Sequence, residues 1–157
     1  MIIKRKYPIG AECRPDQGVD FRVWAPAASA VRVFLEGGPG SPSDLELTNE
    51  GNGYFSGFDP SAAAGTLYRF QLGDAENRLP DPASRFQPDG PHGASAVVDP
   101  AAFSWTDSAW PGIKLEGQVL YEMHIGTFTN DGTWNAAREQ LKELASVGIT
   151  VLEIMPI

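Results

Sequence analysis

The sequence predicts a mainly β protein: a β-sandwich, then a Pro-rich strap, then one β-α-β unit. Three observations carry this reading. Up to about residue 100, short runs rich in β-branched and aromatic residues are separated by Gly, Pro, Asn and Asp. Between Arg78 and Gly112 prolines recur and apolar periodicity is lost. From Gly117 onward the apolar pattern becomes strand, amphipathic helix and strand.

The first clear strand is VDFRVW, in which Val19, Phe21 and Val23 alternate with Asp20 and Arg22 and so define one inward face. APAAS turns the chain, because Pro26 has no ladder donor, and VRVFLEG then reads as a hairpin partner with Val31, Val33 and Leu35 on one side. GGPGSPS is a loop by composition. DLELT, GYFSGFD and TLYRFQLGD supply three further strands at sandwich spacing. In the Pro-rich stretch, Phe86, Phe103, Trp105 and Trp110 argue for an ordered segment, since a disordered linker has no such bulk to bury. They are expected to pack rather than to stack on sugars. QVLYEMHIG reads as a strand covered on both faces. TWNAAREQLKELASVG reads as one helix with Trp134, Ala137, Leu141, Leu144 and Val147 at helical spacing, Thr133 as N-cap and Gly148 just past the C-terminus. TVLEIMPI follows, and a strand, crossover helix and strand place the two strands parallel. The expected domains are a sandwich over 1–100, a linker strap over 101–116 and the β-α-β segment over 117–157.

Bulk properties remove several classes of function. The 157 residues hold 12 Lys and Arg against 20 Asp and Glu, a net charge of −8 that repels phosphate backbones and anionic lipid, so neither nucleic acid nor membrane is expected as a partner. No stretch approaches the roughly 20 apolar residues of a membrane helix. The start MIIKRKYPIG lacks the apolar run of a secretory signal, and a cytoplasmic location is expected. With one cysteine, Cys13, and two histidines, His92 and His124, no internal disulfide can form and no metal site or cofactor is expected.

YEMHIGTFT, then GTW opening a helix, then GITVLEIMPI resemble the first strand, first helix and second strand of the catalytic (β/α)8 barrel in the α-amylase superfamily of glycoside hydrolases. Glu153 stands where many members carry Trp. FRVWAPAASAVRVFLEG resembles the early-set, immunoglobulin-like module that precedes this barrel in branching, debranching and trehalose-forming members. The segment LPDPASRFQPDGPHGASAVVDPAAFSWTDSAWPG is similar to the strap that joins module and barrel in the trehalose-releasing branch. The resemblance implies a retaining hydrolase acting on maltooligosyl trehalose or another α-1,4-glucan through two carboxyl groups roughly 5–5.5 Å apart. It also implies that the nucleophilic Asp, the acid Glu and a further Asp sit at the ends of later barrel strands. No catalytic residue is therefore expected in this chain.

Glu122 and His124 stand two residues apart on one strand, point to the same side, and with Phe128 in the next loop are the substrate-side candidates. The competing reading is structural, with Glu122 bonded inside the barrel, His124 fixing the loop and Phe128 packing. That reading is preferred, because one Glu and one His cannot supply two opposed carboxyl groups. Glu153, an ionisable residue inside an apolar run, needs a partner to be tolerated there and is also read as structural. Because a closed barrel gives every strand two neighbours, the chain is expected to be the inactive N-terminal part of a longer enzyme, able to self-associate through its exposed barrel elements. The alternatives are the equivalent region of a glycogen-branching or debranching enzyme, and a module that binds α-glucan through exposed aromatics such as Trp24 or Tyr54.

Overall fold

The computed structural model describes residues 5–14 and 17–156. The expected sandwich range thus includes positions, such as the first four, that lie outside the described residues. Two compact units divide between Ser104 and Trp105.

The first unit runs β1 (Gly10–Cys13), β2 (Val19–Trp24), β3 (Val31–Gly37), β4 (Ser43–Glu46), β5 (Thr48–Gly51), β6 (Tyr54–Asp59), β7 (Leu67–Leu72) and β8 (Ser95–Ala96). These strands form two four-stranded antiparallel sheets, ordered β1-β2-β6-β5 and β4-β3-β7-β8. The alternation read in the sequence is the alternation of burial. Val19, Phe21 and Val23 of β2 are buried, as are Val31, Val33 and Leu35 of β3, while Asp20, Arg22 and Trp24 are turned outward. Phe55 of β6 and Tyr68 and Phe70 of β7 complete the core. Phe21 meets Tyr68 edge-on at 5.0 Å between ring centroids, and Tyr68 meets Phe70 at 5.7 Å. Each such side chain contributes about 1.5–3 kcal/mol through removal from water.

Two expectations are corrected here. VRVFLEG is not the hairpin partner of VDFRVW: β2 pairs with β1 and β6, whereas β3 pairs with β4 and β7 in the opposite sheet. The physical reason is that both strands have one apolar face, and a sandwich satisfies both by placing them on opposite sides of one core. The turn Ala25–Ala30 makes the crossing, tied by Ala25 N–H donating to Gly53 O at 2.7 Å. DLELT is likewise not one strand. The chain leaves the second sheet after Glu46 and joins the first at Thr48, and the buried Leu47 between them donates its N–H to Val31 O at 2.8 Å.

The segment after β7 returns across the second sheet. Phe70 and Leu79 exchange both backbone hydrogen bonds, at 2.8 and 2.7 Å. Asp81 is then buried: its Oδ2 accepts from the Tyr68 hydroxyl at 2.7 Å, its Oδ1 accepts from Ala83 N–H at 2.7 Å, and its own N–H donates to Ser95 Oγ at 2.9 Å. Burial pushes the Asp81 carboxyl above its ordinary range even though two donors favour the charged form. The Tyr68 phenol is pushed up chiefly by burial as well, then by the neighbouring carboxylate. Phe86 and Trp110, expected to pack, are exposed, as are Phe103 and Trp105.

The second unit holds β9 (Leu120–Met123), α1 (Ile125–Phe128), α2 (Trp134–Glu139), α3 (Leu141–Ser146) and β10 (Val151–Ile154). The strands are parallel, with Leu120 beside Val151 and Glu122 beside Glu153. Thr133 caps α2, its Oγ1 accepting from Ala136 N–H at 3.2 Å. Gly148, at φ 95°, ends α3: its N–H donates to Ala145 O and that of Ile149 to Leu144 O, both at 3.1 Å, the 5→2 and 6→1 bonds of a Schellman stop. Both signposted ends are therefore found, but the single expected helix is two, interrupted at Gln140, whose N–H bonds three residues back to Ala137 O. The strand expected to be covered on both faces is covered on one. Met123, Ile125 and Ala137 are buried together with Tyr121, Phe128 and Leu152 packed on them, while Leu120 and Glu122 are exposed.

Tyr68→Phe keeps the ring and removes the hydroxyl that serves Asp81. The expected outcome is a loss of about 1–3 kcal/mol, the cost of under-satisfying a buried carboxyl group. It is read in urea unfolding as a lowered midpoint with an unchanged m value.

Candidate functional site

Two surfaces collect the side chains singled out by sequence. The first lies at the C-terminal end of β9. Glu122 is on the strand and His124 is the residue that caps α1, at φ −105° and ψ 119°, so the extended backbone persists through it and the two side chains share a side. Both are exposed. The His124 carbonyl accepts from Thr127 N–H at 3.1 Å and Phe128 N–H at 3.0 Å. Its imidazole lies against Gly126, where a Cβ would come within 3.0 Å of Cε1. Phe128 is half-buried, its ring 6.1 Å from that of Tyr121 at an interplanar angle of 64°. The loop after α1 is closed by Gly132, whose N–H donates to Thr129 Oγ1 at 3.2 Å.

Glu153 was missed as a neighbour of Glu122. In-register parallel pairing puts adjacent residues on the same face, so Glu122 and Glu153 stand side by side, both exposed, on the face opposite the helices. The signal in the sequence was confined to one Glu inside each of two apolar runs, QVLYEMHIG and TVLEIMPI, and the register that pairs them comes from the fold. On the helix face, Met123, Ile125, Trp134, Ala137, Leu141 and Leu152 line an apolar groove of about 390 Å³. Among the described residues no group of three or more His, Cys, Asp or Glu could hold a metal ion, and no helix is long and apolar enough to cross a membrane.

The second surface is the outer face of the β1-β2-β6-β5 sheet. Trp24 pairs with Tyr54 across the ladder, and Arg22 with Ser56. The Arg22 guanidinium lies 3.9 Å over the Tyr54 ring and bonds Glu50, with Nε–H donating to Oε1 at 3.0 Å and an Nη2–H to Oε2 at 2.8 Å. Arg22 also donates to Pro8 O. Trp24 donates its indole N–H to Asn52 O at 3.1 Å. Asn52 and Gly53 at positive φ make the hairpin turn, and a side chain at Gly53 would meet Pro26 at 2.7 Å and the Trp24 indole nitrogen at 3.0 Å. Sequence alternation foretold which β2 residues face outward, but the Arg22–Glu50 partnership depends on β5, which sequence reading did not separate from β4.

The hydrogen bond from Arg22 holds the Glu50 carboxyl below its ordinary value, and Arg22 is raised in turn. A carboxyl group lowered in the folded state stabilises the fold above its unfolded value, near 4.5, and that contribution disappears as pH falls through the folded value.

Comparison with known proteins adds four likenesses. Residues 8–102 match the family described as carbohydrate-binding module 48, the isoamylase N-terminal domain. The malto-oligosyltrehalose trehalohydrolase of Deinococcus radiodurans is 40% identical over 140 residues, covering 89% of this chain and 22% of the relative. The 1,4-alpha-glucan branching enzyme GlgB 2 of Xanthomonas euvesicatoria pv. vesicatoria is 31% identical over 159 residues, covering 92% of this chain and 21% of the relative. A crystal structure of a candidate alpha amylase from Salmonella typhimurium superposes with a TM-score of 0.81 at 40% identity, over 96% of this chain and 25% of that one. The chain thus spans about a quarter of the length of the proteins it matches.

Glu50→Gln removes the titrating partner of Arg22 and keeps the shape. The variant is expected to melt below the wild type at neutral pH, with the gap in Tm closing as pH is lowered through and below about 4.5. Thermal melts followed by circular dichroism across pH 3–7 check it.

Proposed function

The chain belongs to the carbohydrate-binding module 48 family, and from that premise we propose that it is the module and opening barrel segment of a retaining glycoside hydrolase that releases trehalose from maltooligosyl trehalose. The observation that carries the reading is the 40% identity to a trehalohydrolase over 140 residues, which is too long to be confined to the module at 8–102. The parallel β9–β10 pair supports it. Its helices cover one face, and the other face carries Glu122 and Glu153, as the inner wall of a closed barrel would. In this reading the sandwich ends near residue 100, residues 101–116 form the linking strap, and 117–157 begin the barrel. Glu122, His124 and Phe128 shape the barrel mouth, while the two carboxyl groups of the reaction come from later strands. The enzyme works in the cytoplasm on a soluble α-1,4-glucan.

A second reading, a branching enzyme, is favoured by the 31% identity to GlgB 2. The two differ in product. The polypeptide encoded by the complete gene, incubated with maltooligosyl trehalose, is expected to liberate trehalose, and residues 1–157 alone are expected to liberate none. Trehalose from the short chain would overturn the assignment. New α-1,6 linkages without trehalose would move it to the second reading.

The apolar groove beneath β9 and β10 gives the isolated chain a surface for self-association. Sedimentation of the chain is expected to show a concentration-dependent shift from monomer to dimer, abolished by Leu141→Glu.

A further inference from the structure

The turn that joins β5 to β6 is Asn52–Gly53, and the fold fixes the conformation of both residues. Asn52 stands at φ 53° and Gly53 at φ 82°, the left-handed pair of a short hairpin loop whose flanks, Gly51 and Tyr54, face each other across the ladder. A side chain at Gly53 would meet Pro26 at 2.7 Å and the Trp24 indole nitrogen at 3.0 Å, so this position excludes anything bulkier than hydrogen. Asn52 itself is exposed.

That pair of residues has a chemistry of its own. The amide nitrogen that follows an asparagine can attack the side-chain carbonyl carbon and close a five-membered ring, and a side chain on the following residue obstructs the approach. Asn49, Asn77, Asn130 and Asn135 are followed by Glu50, Arg78, Asp131 and Ala136, which carry that obstruction. Asn52 alone is followed by glycine. The turn is nevertheless tied down, because the indole N–H of Trp24 donates to Asn52 O at 3.1 Å and Ala25 N–H donates to Gly53 O at 2.7 Å. The peptide joining Asn52 and Gly53 is planar, so the bond that holds Asn52 O also holds the Gly53 nitrogen, which must swing toward Asn52 Cγ before a ring can form.

We propose that Asn52 is a site of spontaneous deamidation and that the hydrogen bond from Trp24 restrains its rate. The Gly53 nitrogen forms a bond to Asn52 Cγ as the Cγ–Nδ2 bond breaks, its proton passing through water to the departing amide, which leaves as ammonia. Water then opens the succinimide at either carbonyl, to aspartate or isoaspartate, and no electrons are transferred. Isoaspartate routes the main chain through the former side chain and lengthens the turn by a methylene carbon, which takes the acceptor away from Trp24 and adds a negative charge to the hairpin that carries Glu50. The outer sheet thereby records the age of the chain.

The test is incubation of the folded chain at mildly alkaline pH, followed by peptide mapping with mass spectrometry that separates aspartate from isoaspartate. Asn52 is expected to react ahead of the other asparagines and to give both products, with loss of the native Trp24 indole N–H resonance. Trp24→Phe removes the donor and is expected to raise the rate about fivefold, the equivalent of the roughly 1 kcal/mol of one hydrogen bond. The chain unfolded in urea, where the bond is also gone, is expected to react faster than the folded one. Asn52→Gly keeps the left-handed turn and is expected to preserve the indole resonance throughout. Asn52 left intact after other asparagines have reacted, or aspartate as its sole product, would overturn the site. An equal rate in Trp24→Phe, or a slower reaction in urea, would overturn the restraint by Trp24.

Discussion

The buried hydrogen bond between Tyr68 and Asp81 is the contact on which the first unit turns. The ring of Tyr68 is one of the largest wholly buried side chains and lies against Phe21 and Phe70, so it belongs to the core. Its hydroxyl reaches out of that core to a carboxyl group on the Pro-rich segment. One side chain thereby couples two things of different origin: apolar burial, which is non-directional, and a single directed bond that sets where residues 79–97 lie. Ser95 and Ala83 close the remaining positions around Asp81, and only then can an ionisable group be tolerated in so dry a place. Gly10 belongs to the same arrangement. Gly10 stands at φ 90°, and a side chain there would also come within 3.2 Å of Ala83 O, so glycine eases the approach of β1 to the segment.

What was legible in the sequence was whatever repeats with the period of a strand or ends with a recognisable cap. VDFRVW and VRVFLEG were read with the bounds they have, because their alternation is clean and each is closed by Gly, Pro or a polar pair. Thr133 and Gly148 were read because capping is a local bargain between a side chain or a backbone angle and the helix end. Pairing was not legible. Nothing local distinguishes a strand's neighbour in its own sheet from one across the core, and so β2 and β3 were placed together when they face each other. The two-residue β8 is invisible for a related reason, since its burial comes from β7 and Asp81 rather than from any pattern of its own. At the candidate site, the shared side of Glu122 and His124 followed from strand geometry, but the adjacency of Glu153 needed the register of a parallel pair.

The second unit is asymmetric in a way that bears on chemistry. Its apolar residues gather on the helix side, while Leu120, Glu122, His124 and Glu153 are left on the other. Two like charges side by side on adjacent strands repel, and the pair is tolerable where water or a counter-charge can screen it. Such a pair is poorly suited to filling a dry core and better suited to a wet or ligand-facing one.

The change of sheet at Leu47 has a mechanical meaning. A single continuous run hydrogen-bonds with one layer through β4, gives its Leu47 amide to Val31, and within two residues is part of the other layer. The layers are stitched at that point, and neither can slide past the other without breaking the stitch. Sliding of one layer past the other at that edge would pull on the Leu47–Val31 hydrogen bond and on the chain itself, so a displacement of either layer is passed directly to the other.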